Sequence, residues 1–112
     1  MILGRVIGEV WAARQHPGLL GKKLLIIRPH GWYDPPLNVG HLVAVDPVGA
    51  GAGEDVVVCM GDPGRRVLAG GLEQETSPLL PVDATVMAIV DRVELDPKAP
   101  LRFGGPPPRG AA

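Results

Sequence analysis

The chain predicts an all-β fold, a small five-stranded OB-like β-barrel with at most one short helix. Three observations lead there. Short apolar runs rich in Val, Ile and Leu recur at residues 2–13, 23–28, 41–45, 55–60 and 85–93. The 16 glycines and 13 prolines fall mostly between those runs, where they mark turns rather than helices. The length, 112 residues, suits one domain with one modest core. A closed barrel is the natural way for so few strands to avoid open edges.

The first strand spans 2–13. Ile2, Val6, Val10 and Ala12 share one face with Gly4 and Gly8, and glycines on an inward face let a strand bend as a small barrel requires. Arg5 and Glu9 occupy the other face with Leu3, Ile7 and Trp11. That face mixes charge with large apolar groups. It reads either as a solvated surface or as a subunit interface, and Trp11, costly to leave in water, favours the interface.

His16–Gly21 is a turn-rich connection. Lys23–Arg28 then forms a second strand whose unbroken apolar run implies burial on both faces. Residues 29–40 form a loop in which Trp32 and Tyr33 pack on the barrel or anchor a neighbour. His41–Val45 and Asp55–Met60 are the third and fourth strands. In the turn 61–68, Asp62 is placed to cap a single helical turn with Pro63 at its first position. Residues 69–80 carry little pattern and read as a mobile loop. Thr85–Val93 is the last strand. The barrel domain therefore covers 1–95. Residues 96–112, rich in Pro and Gly, lack the apolar content to fold alone and form a flexible tail or dock on a neighbour.

Between the third and fourth strands lies Asp46-Pro47-Val48-Gly49-Ala50-Gly51-Ala52-Gly53-Glu54. Alternating Gly and Ala permit positive φ and a close approach of another backbone. A phosphate cradle would need a helix N-terminus and a following Lys or hydroxyl. Here Glu54 and Asp55 follow, then a strand, so a structural role is the better reading.

Other chemistry is poorly supported. His16, His30, His41 and Cys59 have no ligand spacing for zinc. Ser77 is the only serine, and Cys59 lies within an apolar strand, where a thiol is inert. Glu54 and Asp55 could act as acid and base, but neighbours on a strand point to opposite faces. No catalytic, cofactor or metal site is expected, and no enzyme. A net charge of −1 gives no field to recruit nucleic acid or an anionic membrane. Single-stranded nucleic acid binding by an OB-like module remains the alternative, with few aromatics to stack bases. One cysteine excludes an internal disulfide and fits a reducing compartment. Neither a signal peptide nor a membrane-spanning run is expected.

Several segments together resemble the bacterial microcompartment vertex proteins, the family of ethanolamine-utilisation and carboxysome pentamers. Leu3-Gly4-Arg5-Val6-Ile7-Gly8-Glu9-Val10-Trp11-Ala12 is similar to that family's first strand. Leu20-Gly21-Lys22-Lys23-Leu24-Leu25 resembles its L-x-G-x-K-L-L segment, and Val45–Glu54 its D-x-V-G-A-G-x-G-E motif. Pro81–Asp91 resembles its P-V-D-A-x-V-x-x-I-V-D ending. Gly61-Asp62-Pro63-Gly64-Arg65 stands where the family has a turn with small residues, and departs from it. The tail has no counterpart in these motifs.

The resemblance implies a cytoplasmic structural shell protein. It would form a homopentamer that caps the five-fold vertices of a polyhedral shell and meets hexameric facet proteins. A closed ring repeats one heterologous contact, so each subunit needs two different faces. Under that reading Arg5, Ile7, Glu9, Trp11 and Asp46 belong to the subunit interface. Gly49, Ala50, Gly51, Ala52, Gly53 and Glu54 would line a narrow opening near the five-fold axis.

Overall fold

Five strands close on themselves in the computed structural model, which describes residues 1–30, 40–61, 63–64 and 82–98. They are β1 (Ile2–Val10), β2 (Leu24–Pro29), β3 (Leu42–Val45), β4 (Asp55–Met60) and β5 (Ala84–Val90). Around the barrel the order is β1-β2-β3-β5-β4, with β4 returning to β1. All pairs are antiparallel except β3 with β5. This is the OB-like closed barrel that the sequence predicts. Among the described residues the helical content is a 3-10 turn at Pro17–Leu19 and the pair Pro63 and Gly64. The expectations for Trp32, Tyr33 and Asp62, for the loop 69–80 and for most of the tail fall outside the described residues.

The core is filled by small and β-branched side chains. Val6, Leu25, Ile27, Ala44, Ala50, Val56, Val58, Ala84 and Val86 form one buried cluster. Such residues suit a narrow interior, where large rings would not fit. In β2 the core takes Leu25 and Ile27, while Leu24 and Ile26 stand half-buried on the outer face. Burial on both faces is the sequence expectation; within this chain the inner face is buried and the outer face only half so.

Gly4 makes the tight closure possible. A Cβ at this position would stand 2.7 Å from Ile27 Cγ2 and 2.8 Å from the Arg28 carbonyl oxygen. Any side chain there would push β1 away from β2. Gly64 plays a similar part beneath β5, where a Cβ would meet Thr85 Oγ1 at 2.7 Å.

Alternation along β1 does not run unbroken, contrary to the sequence expectation. Val6 pairs with Ile27, but Gly8 pairs with Ile26, so Ile7 is an extra residue. Directly opposed residues share a face. Beyond this bulge Gly8 and Val10 therefore join Ile26 and Leu24 outside, and Glu9 joins Leu25 on the inner side of the barrel end. One inserted residue exchanges every later side chain between faces. The strand also ends at Val10, opposite Leu24 where β2 begins, so Trp11–Ala13 have no ladder partner. At the other end of the chain, β5 starts one residue earlier than expected and stops at Val90.

Candidate functional site: the glycine loop and its anchors

β3 delivers the chain to Asp46, which is buried and organises the loop behind it. Its Oδ1 accepts from the amides of Val48 (2.9 Å) and Gly49 (3.0 Å), and its Oδ2 from that of Ala50 (2.7 Å). Charged acceptors make short, strong bonds of this kind. Gly49 takes φ +97°, a conformation that a side chain would resist. Ala50 then turns fully into the core.

The loop next makes a tight turn. The Glu54 amide donates to the Gly51 carbonyl (3.1 Å), with Gly53 at φ +86° in the third position. Positive φ there is the signature of a type II turn. Glu54 Oε1 accepts from the Gly51 amide (2.9 Å) and locks the turn from outside. Val6 of β1 receives the loop's end. It accepts from the Gly53 amide (2.8 Å) and donates to the Glu54 carbonyl (2.9 Å). Two loop residues thus oppose one residue of β1, a bulge that calls for glycine at its first position.

Lys23 fastens this loop to the mouth of the barrel. Its ammonium donates to the Ala50 carbonyl and lies 3.6 Å from Asp46 Oδ2 and 3.8 Å from Glu9 Oε1. The Asp46 amide in turn donates to the Lys23 carbonyl (2.8 Å). Val48, Gly49, Ala50, Gly51, Gly53 and Glu54 all spend their amides on acceptors inside the chain. That leaves those amides unavailable to a phosphate and supports the structural reading. The apex that remains exposed is Ala52, beside the half-buried Gly51 and Gly53.

A second polar cluster sits on the outer face of β1 and β4. Arg5 pairs directly with Arg28 on one side and Asp55 on the other. Asp55 is fully buried and receives the Arg5 guanidinium, Nε at 3.0 Å and Nη2 at 3.4 Å. His30 Nε2 lies 3.1 Å from the same carboxylate, and the His30 amide donates to the Leu3 carbonyl (3.2 Å). Burial lowers the His30 pKa below its ordinary 6.5. Asp55 opposes that shift, while Arg5 and Arg28 add to it.

The structure brings some sequence-chosen residues together and separates others. Asp46, Ala50, Glu9 and Lys23 meet at one barrel end, whereas Arg5 belongs to the Asp55 cluster. Ile7 is exposed at the bulge, and Trp11 lies beyond the end of β1 with 87% of its surface exposed. Asp46 lies inside the subunit, with its carboxylate committed to the loop. Glu54 bonds to Gly51 and Asp55 to Arg5, so the two carboxylates do not converge on a common point. Cys59 is half-buried on β4. Among the described residues, no group of three or more His, Cys, Asp and Glu is placed to hold a metal ion. No described helix is long and apolar enough to cross a membrane. Sequence reasoning missed Lys23 and His30 as partners of buried carboxylates. The signal available was the presence of Asp46 and Asp55 at the ends of apolar strands, where a buried charge needs a partner.

The barrel with this loop at its mouth matches a known family over most of its length. Residues 1–91 fit the model of the ethanolamine utilisation protein EutN/carboxysome family. The chain belongs to this family. Over 94 residues it is 39% identical to the bacterial microcompartment shell vertex protein PduN of Salmonella typhimurium, covering 81% of this chain and 96% of that protein. Among solved structures, the carboxysome protein CcmL of Gloeobacter violaceus aligns with TM-score 0.67 and 36% identity, over 93% of this chain and 98% of the other. GrpN, described as a pentameric microcompartment shell protein from Rhodospirillum rubrum, aligns with TM-score 0.63 and 35% identity, over 86% and 100%. In EutN/CcmL terms, the glycine loop, Lys23 and the Arg5–Asp55–His30 cluster all lie within the shared domain. Residues 92–112 lie beyond it.

Proposed function

We propose that this chain is a structural vertex protein of a bacterial microcompartment shell. It forms homopentamers that cap the five-fold corners and contact hexameric facet proteins in the cytoplasm. It carries out no chemistry of its own. The observation that carries this reading is the family match over residues 1–91 together with a pentameric shell protein, GrpN, as a structural neighbour at TM-score 0.63. The relatives reported above are all shell proteins, which leaves the single-stranded nucleic acid alternative without support.

The geometry fits a ring. A heterologous contact needs a rigid face, and the outer surface of β1–β3 offers Ile7 and Val43 exposed with Ile26 half-buried between them. Ile26 pairs directly with Val43 and with Gly8, so these groups form one patch. Ile7 and Trp11 would enter the contact as apolar groups, with Arg5 at its polar margin and Glu9 reaching it only from the barrel end beside Lys23. Asp46 would act from within, by holding Lys23 near Glu9. The loop Gly49–Glu54 is stiff, small at its apex and set at the barrel mouth. Five such apices could crowd round an axis where larger side chains would collide. Ala50, buried in the core, would support that rim rather than line it.

The test is shell assembly. Facet proteins produced together with this chain should give closed polyhedra that contain it at their corners. Facet proteins alone should give open or tubular bodies. Shells that close equally well without the chain would overturn the proposal.

A further inference from the structure

A cavity of about 210 Å³ opens at the end of the β1–β2 hairpin. Val10, Trp11 and Leu24 are its apolar lining, with Gly21, and Glu9, Lys22 and Lys23 are its charged lining. Trp11 presents 87% of its surface to solvent there. An indole left this open beside an apolar wall is suited to packing against a guest.

The chain itself carries a segment of fitting chemistry. Residues 99–112 include Phe103 and the run Pro106-Pro107-Pro108-Arg109, all beyond the family domain. Consecutive prolines favour the polyproline II helix, which docks on exposed aromatic rings at small entropic cost. Arg109 follows the prolines directly; the carboxylate of the cavity lining, Glu9, already has the Lys23 ammonium 3.8 Å from its Oε1.

Topology indicates which copy supplies the segment. β1 and β5 both run antiparallel to β4, so their C-terminal ends lie at the same end of the barrel. The chain therefore leaves β5 at Val90 heading towards the same end of the barrel as the Trp11 cavity. Yet β5 sits between β3 and β4, across the barrel from the β1–β2 hairpin. A heterologous ring brings different faces of successive subunits together. It can set the β5 side of one against the β1–β2 side of the next. Fully extended, residues 99–112 span about 46 Å, ample to cross such a junction.

We infer that the proline-rich tail, Phe103 to Arg109, of one subunit docks on the Trp11 cavity of the next and straps the ring together. This rests on the pentamer reading above.

The test uses two full-length forms. One keeps Trp11 but carries Pro106→Ser, Pro107→Ser, Pro108→Ser and Arg109→Ser. The other keeps the tail but carries Trp11→Phe. Rings co-assembled from both are compared with an equal mixture of separately assembled rings, so that Trp32 contributes identically. Co-assembly should shift Trp11 emission to shorter wavelength and reduce its quenching by acrylamide. Identical spectra from particles of five-subunit mass would overturn the strap and leave the ring standing. Protection in the unaltered protein but not in co-assembled rings would place the tail on its own subunit, against the inference. Monomers throughout would overturn the ring, and the strap with it.

Discussion

The Lys23 ammonium stands 3.6 Å from Asp46 Oδ2 and also donates to the carbonyl of Ala50, the residue whose amide Asp46 accepts. Aspartate and lysine thus grip the same loop residue, one by its amide and the other by its carbonyl. Removing the carboxylate strands three loop amides and the ammonium together. Asp46→Ala should therefore destabilise the protein by about 2–4 kcal/mol. Asp46→Asn, which keeps an acceptor oxygen, should cost less. Urea unfolding at one fixed protein concentration reads the difference, since assembly shifts apparent stability.

Gly4 and Gly8 look alike in sequence and should respond in opposite ways. Gly4→Ala forces a methyl against Ile27 and the Arg28 backbone and should cost about 1–3 kcal/mol. At Gly8 a Cβ would lie 3.6 Å from Ile26 Cδ1, an ordinary contact. Gly8→Ala should be neutral or stabilise by up to about 1 kcal/mol. Thermal midpoints of the two variants, measured side by side, check the contrast.

Asp55 holds two partners in a buried place. Asp55→Ala leaves Arg5 and His30 without that carboxylate and should destabilise by about 3–5 kcal/mol. Loss of Arg5 and Asp55 together should cost less than the sum of the single losses. A double-mutant cycle measures that coupling.

Acid should weaken the same cluster through His30. Its folded pKa lies below 6.5, so between that pKa and 6.5 the unfolded chain binds more protons than the folded one. The contribution is fully present above pH 6.5 and declines as the pH falls through 6.5 towards the folded value. His30→Gln should flatten this part of the stability–pH curve. An unchanged slope in the variant would show that other groups set it.

The glycine loop gives a prediction about the ring. Gly51→Trp adds a large side chain beside the exposed apex without forcing positive φ, since Gly51 is not among the glycines that adopt it. In an axial loop the substitution should block or distort the central opening seen by electron microscopy. An intact ring with an unaltered opening would place the loop away from the axis.

Five strands were legible because Val, Ile and Leu runs alternate with Gly and Pro turns on a scale that only a small β-fold accommodates. The structural role of the glycine loop was legible too, from Glu54 and Asp55 standing where a phosphate site needs a cation. The faces of β1 beyond Ile7 were not. A single inserted residue is invisible in composition and appears only when Gly8 is set against Ile26. Asp46 is expected at the subunit interface; that its carboxylate also accepts from the amides of Val48, Gly49 and Ala50 is not visible in its spacing. Partners of buried charges, Lys23 for Asp46 and His30 for Asp55, depend on strand pairing and cannot be read from spacing along the chain. The arrangement of subunits depends on contacts that no single chain contains.

The native mass of the purified protein tests the central claim most directly. Native mass spectrometry or light scattering should give five subunits, with one dominant species over a range of concentrations. A monomer that persists at high concentration would contradict the account.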